Sequence, residues 1–323
     1  MRNPYFRAKT VDDLLRHALE DIKKYGEPIK ASKGKTTEIT GVVLELTNPR
    51  ARLSRTESRG KLFSCIGELC WYLNGTDDTS FIVHYLRDYR KADEGGRVFG
   101  AYGPRLFKEW KGAAQFENII QLLSTKPTSR RAVLQLFDAA DLLGKHEDVP
   151  CTCALQFLVR KGKLDLIVYM RSNDVIKGLT HDIFSFTMLQ EIAACRLSVE
   201  LGTYRHCVGS LHLYLSDYKT AQSFLREGWQ STKSAMPPMP KGDPSAGIRL
   251  LLRAEAAVRR GDDPDGRFVR EAHANPYWAD LIRLLQVFGY RQRRNKRALA
   301  EIRQKMVFQI YDAYIKRALD GIR

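Results

Sequence analysis

The sequence lacks the features that would place it in a membrane, on a secretory route or among the nucleoside-triphosphate enzymes. No run of about 18 apolar residues occurs, so no membrane-spanning helix is indicated. The opening MRNPYFRAKTVDD has none of the apolar core of a signal peptide, and a cytoplasmic protein is expected. The six cysteines (Cys65, Cys70, Cys151, Cys153, Cys195 and Cys207) form no Cys-x-x-Cys pair, and Cys151-Thr152-Cys153 is too tight for a usual zinc knuckle. Reduced, mostly buried thiols and no structural metal are the expectation. Gly34-Lys35-Thr36 looks like the end of a phosphate-binding loop, yet Ile29 stands where that motif needs a glycine. No Gly-x-Gly-x-x-Gly follows a strand either, so ATP chemistry is not supported, and no internal repeat is seen.

What is present suits one large or two ordinary globular domains: 323 residues, 44% of them hydrophobic and 28% charged. Lys plus Arg exceed Asp plus Glu by 16, which predicts attraction to phosphates on a polymer or a small nucleotide. Residues 241–323 carry 18 basic and 10 acidic side chains, half of that excess. The densest run, YRQRRNKR at 290–297, reads as a solvated helix face.

Thr10-Val11-Asp12-Asp13 forms a capping-box pattern that opens a helix to about Lys24, with Leu14, Leu15, Ala18 and Ile22 inward. Residues 37–47 read as a strand, and 63–75 as a buried helix closed by Asn74-Gly75. Residues 131–137, 154–170 and 196–214 carry strand signals, with a hairpin turn at Lys161-Gly162-Lys163. Helices are expected at 183–195, at 216–226 and over 297–319, where Leu299, Ile302, Met306, Ile310 and Ala313 share a face. This mixture fits an α+β fold with a mixed sheet better than a regular βαβ repeat. Four prolines and two glycines mark 234–247 as a linker, dividing a core at 1–233 from a helical extension at 248–323 packed on it.

Two places invite a chemical reading. Cys151 follows Pro150 at the start of an apolar strand, where most single cysteines are simply buried. Its company is unusual: Glu68, Tyr102, Arg130 and Arg131 upstream, then Arg171, Ser172, Asp174, Asp182, His206, His212 and Tyr214. Paired arginines suit a phosphorylated substrate, and cationic surroundings would lower the thiol pKa and supply thiolate. Asp182 stands at the junction of a loop and an apolar helix, where an acid can cap the helix or face a ligand.

Pro-Cys, Arg-Ser-x-Asp twenty residues later and a closing His-x5-His-x-Tyr, taken together, resemble the thymidylate synthase superfamily over roughly residues 10–226. The resemblance implies that family's fold, with a mixed sheet covered by helices. It also implies a homodimer with shared active sites, a pyrimidine nucleoside monophosphate as substrate, and 5,10-methylenetetrahydrofolate as cofactor. Cys151 would then be the nucleophile that adds to C6, with Glu68 organising proton transfer and Tyr102 beside them. Arg171, with Ser172 nearby and with Arg130 and Arg131 of a second subunit, would hold the 5′-phosphate. His212 and Tyr214 would bond the sugar hydroxyl, and Asp174 would orient base and folate.

The chain departs from thymidylate synthases where they carry Asn, here Asp182, and this is the pattern of the superfamily's cytidylate hydroxymethylases. Thr152 replaces a histidine, HYLRDYRKADEGG lacks the folate-pocket tryptophans, and the chain ends YIKRALDGIR without the hydrophobic sealing tail. Lys33 or Lys35 would stand for an arginine of the phosphate loop. The expectation is folate-dependent C5 hydroxymethylation of dCMP, with CMP hydroxymethylation and dUMP methylation as rivals within the class. A nucleic-acid-binding relative using 290–297 is the rival outside it.

Overall fold

The computed structural model describes residues 3–31, 33–54, 61–229, 231, 235–262, 266–272 and 274–322. Its main sheet has seven strands: β1 Tyr5–Ala8, β2 Glu27–Ala31, β3 Gly34–Leu46, β4 Val133–Gln135, β5 Thr152–Arg160, β6 Lys163–Asp174 and β7 Glu200–Tyr214. They lie in the order β1-β3-β7-β6-β5-β4, with β2 also beside β3. β1 with β3 and β6 with β7 run parallel, and the other pairs are antiparallel, which makes the mixed sheet of an α+β fold. Lys161 and Gly162 both take positive φ (52° and 72°), the tight turn that a two-residue hairpin between β5 and β6 requires.

The helices are α1 Val11–Tyr25, α2 Leu62–Leu73, α3 Thr79–Tyr85, α4 Tyr102–Phe107, α5 Gln115–Thr125, α6 Leu179–Arg196, α7 Tyr218–Arg226, α8 Ser245–Arg260, α9 Arg267–Glu271, α10 Pro276–Gln292, α11 Lys296–Lys305 and α12 Asp312–Asp320. Thr10 Oγ1 accepts the Asp13 N–H at 3.2 Å, as the capping pattern anticipates. α6 makes the crossover between β6 and β7 and is buried from Leu179 to Ala194, because it packs against the sheet on one side and α2 on the other. α8 and α10 cover α2 in turn. Gly67 makes that stacking feasible, since a Cβ there would meet the Tyr85 ring at 2.2 Å. Tyr85 then donates to Glu255 of α8 at 2.9 Å.

The Pro-rich segment leading into α8 is tied down as well. Met236 N–H donates to Arg50 O at 2.9 Å and Met239 N–H to Glu191 at 3.1 Å, with both methionine side chains buried. One expectation is corrected: 297–319 is not a single helix. Buried Asp280 accepts the N–H groups of Val307 and Phe308 at 2.8–3.2 Å, which pulls the chain out of helical geometry between α11 and α12. Among the described residues no helix is long and apolar enough to cross a membrane.

Candidate active site

The C-terminal ends of β6 and β7 and the start of β5 meet α2, α4 and α6 around Cys151. The register between β5 and β6 slips at this point: Ala154 pairs with Tyr169, but Thr152 pairs with Met170. That irregularity leaves Cys153 over, so fully buried Thr152 and Leu155 face the helices and Cys153 does not keep strict alternation with them. Thr152 donates to the Tyr102 hydroxyl from both its backbone N–H (3.1 Å) and its Oγ1 (3.0 Å), fixing α4 against the start of β5.

Arg171 braces the loop before Cys151. Its Nε donates to Pro150 O at 3.0 Å, its Nη2 to Val149 O at 2.9 Å, and its backbone N–H to Cys151 O at 2.8 Å. Lys33 lies 3.5 Å from Asp148, and both bear on the thiol; Lys33 is therefore the cation of the 33–35 pair that leans toward Cys151. The thiol is not activated in the free protein, contrary to the sequence expectation. Burial pushes the Cys151 pKa up to about 11; Arg171 and Lys33 pull it down, but Asp148 and Asp182 push with the burial. Arg130 and Arg131 are exposed and do not join this balance. They precede Ala132, whose carbonyl accepts from Phe157 N–H, six residues along β5 from Cys151 and so roughly 20 Å away.

Asp182 is not a helix cap. Gly178 occupies the N-cap position of α6, and Asp182 lies inside the first turn with its own N–H bonded to Gly178 O at 3.0 Å. The residue is 8% exposed, and its Oδ2 accepts from Asn173 Nδ2 at 2.6 Å. Among the described residues nothing donates to Oδ1. Burial pushes the Asp182 pKa up to about 7 against the pull of that single hydrogen bond.

Glu68, on α2, is 4% exposed and takes both of its hydrogen bonds on Oε1, from the hydroxyls of Tyr72 (3.2 Å) and Tyr89 (3.0 Å). Oε2 is buried and has no partner among the described residues. Burial, then the nearby Asp182 charge, push its pKa up to about 8. Aromatic rings wall this pair in: Tyr72 lies 5.2 Å from Tyr102, Trp71 5.4 Å from Tyr89, and Tyr102 stacks on Phe186 at 6.2 Å.

At the strand ends, Asp174 pairs in register with His212, and the His212 ring meets Tyr214 edge-on at 5.1 Å. Asp174 Oδ1 accepts the N–H groups of Ile176 (2.6 Å) and Lys177 (2.7 Å), while its Oδ2 is buried with no partner among the described residues. Ser172 pairs with Ser210 and is half-buried. His206 is deeply buried and held by the Tyr204 hydroxyl at 2.7 Å, and burial pushes its pKa down to about 3, so it is a neutral core residue.

Cys151, Glu68, Tyr102, Asp174, Asp182, Arg171, Ser172, His212 and Tyr214 are thus brought to one region of a single chain, and Arg130 and Arg131 are not. Sequence reasoning missed Tyr72, Tyr89, Asn173 and Asp148. Tyr72 had a signal, one helical turn beyond Glu68. Among the described residues no disulfide forms; Cys65 and Cys70 are buried and the other four cysteines are half-buried.

The Thymidylate synthase family model matches residues 13–239. Over 228 residues the chain is 29% identical to the deoxyuridylate hydroxymethyltransferase of Bacillus phage SP01, a stretch that is 66% of this chain and 59% of that protein. The family match spans β2 to β7 and the helices from within α1 to α7, and it takes in Cys151, Glu68, Asp182 and the His-x-Tyr strand end. The chain belongs to the thymidylate synthase family.

Proposed function

We propose that the protein transfers a one-carbon unit to C5 of a cytidine monophosphate, with dCMP as the substrate and a hydroxymethyl group as the outcome. The observation that carries this reading is Asp182: a buried carboxyl group with a raised pKa, free of any capping duty, and bonded on Oδ2 by Asn173. An oxygen already accepting from an amide is a poor seat for a proton, so the proton of neutral Asp182 sits on Oδ1. Such a group donates from Oδ1 and accepts at Oδ2. Cytosine, with an acceptor at N3 and a donor at N4, matches it when Oδ1 meets N3.

Cys151 Sγ adds to C6 and its proton passes to water in the site as the bond forms, because the free thiol is protonated at neutral pH. Glu68 holds a proton at neutral pH and can deliver it at the ring. Arg171 and Lys33 supply positive charge for the phosphate, with Arg130 and Arg131 serving the site of a second copy in a homodimer. His212 and Tyr214 meet the sugar. Buried Asp174 Oδ2, an acceptor with no partner, fits the N–H donors of a pterin, so Asp174 would help to hold 5,10-methylenetetrahydrofolate. When bound, that cofactor supplies carbon at the oxidation level of formaldehyde, the level of the hydroxymethyl product. Water would then supply the hydroxyl, with the C5 proton lost and the Cys151 Sγ–C6 bond broken to release the product, and no hydride would be spent.

A second reading rests on the phage relative, whose name specifies deoxyuridylate. Neutral Asp182 turned so that Oδ1 meets O4 and Oδ2 meets N3–H would match uracil. Product analysis decides between them. The protein is incubated with the folate and each of dCMP, CMP and dUMP, and the products are identified by mass, with Cys151→Ala as control. One added formaldehyde unit on dCMP, absent in the control, is expected. Turnover of dUMP alone would transfer the assignment to uridylate, and turnover in Cys151→Ala would remove the mechanism.

A further inference from the structure

Two tyrosine hydroxyls donate to the same oxygen of Glu68, and neither to the other. Tyr72 reaches Oε1 from one turn further along α2, and Tyr89 from the short 3-10 helix Arg87–Ala92. Each phenol has one proton to give, and both are spent on Oε1. Burial pushes both phenol pKa values well above the ordinary range, with the Glu68 charge adding to it, so both remain donors. An sp² oxygen that accepts two hydrogen bonds has both in-plane lone pairs filled and is the carbonyl oxygen of a carboxylic acid. The acid proton is left to Oε2, which is buried and has no partner among the described residues. A buried O–H with no acceptor costs on the order of 1–3 kcal/mol, unless something that enters the site accepts from it.

We propose that Tyr72 and Tyr89 are positioning residues that force the Glu68 proton onto Oε2 and so aim it at an acceptor atom of the bound nucleotide. The proposal deepens, and rests on, the reading of this site as one for a pyrimidine nucleotide. A merely structural role would predict that the hydroxyls satisfy a buried acid wherever its proton lies. The arrangement argues otherwise, because structural satisfaction would spread two donors over two oxygens rather than leave one bare.

The test compares Tyr72→Phe, Tyr89→Phe and the double variant in the full chain, with two independent readouts. The first needs no substrate: infrared difference titration of the Glu68 carboxyl, with the Glu68→Gln spectrum subtracted. Wild type should show a protonated Glu68 at neutral pH that ionises near pH 8. Both hydroxyls favour the ionised form, so each Phe variant should raise the midpoint, and the freed carbonyl should shift its stretch to higher frequency. The second readout is turnover, with kcat falling roughly ten- to a hundred-fold and the nucleotide KM little changed.

An unchanged midpoint in the double variant, or an ordinary carboxylate in wild type, overturns the proposal whatever happens to turnover. Should the double variant not fold, each single variant still must move the midpoint upward. If the midpoint moves but no nucleotide is converted, the hydroxyl pair stands and the proposed function falls. If nucleotides are converted with the midpoint unmoved, the function stands and the pair is only structural.

Discussion

The molecule treats its buried acids in two ways. Glu191 of α6 lies against Arg50 (2.7 Å) and Arg52; Asp141 is gripped by both terminal nitrogens of Arg105 (2.6 and 2.9 Å). Glu255 has Arg259 at 2.8 Å, and Asp280 has Arg283 at 2.7 Å. Glu68 and Asp182 are buried to a similar degree and make no ion pair among the described residues; their partners are neutral hydroxyls and an amide. A charge without a counter-charge in a dry site is costly, and the group answers by keeping its proton. The paired acids join elements: Glu191 links α6 to the Arg50–Arg52 loop and the Pro-rich segment, and Glu255 ties α8 to α3. Among the described residues Glu68 and Asp182 are held only by neutral donors, Tyr72 and Tyr89 for the one and Asn173 for the other, and both lie beside Cys151. Raised carboxyl pKa values next to a nucleophile are the pattern of proton-transfer sites.

Substitutions that remove one acid of each kind break the comparison in opposite ways. Glu68→Gln keeps the acceptor for Tyr72 and Tyr89 but loses the proton, so turnover should fall by about 10²–10⁴-fold with no loss of thermal stability at neutral pH. Loss of fold with loss of activity would put Glu68 among the structural acids. Glu191→Gln should do the reverse: it leaves Arg52 buried without its counter-charge and should cost about 3–5 kcal/mol in denaturant unfolding. Activity per folded molecule should be retained.

pH separates the same two acids. The folded protein binds the Glu68 proton more tightly than the unfolded chain does, since burial lifts its pKa to about 8. Its contribution to stability is therefore complete below the ordinary glutamate pKa and is lost as pH rises through about 8. For Glu191 burial pushes upward, but Arg52 and Arg50 outweigh it and lower the pKa, so its contribution is lost as pH falls. The unfolding free energy of Glu68→Gln should accordingly gain on wild type between pH 5 and pH 9, by an amount on the order of a few kcal/mol or less. A difference that stays constant across this range would mean that Glu68 is ionised in the folded state.

Cys151, Arg171, Asp174, Asp182 and the His212/Tyr214 pair were legible in the sequence because they sit at fixed spacings on strand ends and one helix start. The environment of each was less legible. Tyr89 reaches Glu68 from 21 residues away, and Asn173 was only the variable letter in Arg-Ser-x-Asp until the fold set its amide on Asp182. The thiol pKa was misjudged because adjacent arginines in sequence are remote along β5, while Asp148 and burial are close. The break between α11 and α12 has no local signal at all; it is made by Asp280, 27 residues upstream of Val307. The capping question at Asp182 was likewise open, since Asn and Asp cap about equally well and only the position of Gly178 at the N-cap settles it.

Base reading by Asp182, as proposed above, stands or falls with the variant Asp182→Asn. The Asn amide accepts from N3–H and donates to O4, the uracil pattern, while sugar and phosphate contacts are untouched. Relative kcat/KM for dCMP against dUMP should move toward uridylate by roughly two to four powers of ten, as expected when a buried polar pairing is exchanged. A folded Asp182→Asn protein whose preference between the two nucleotides is unchanged would contradict the account.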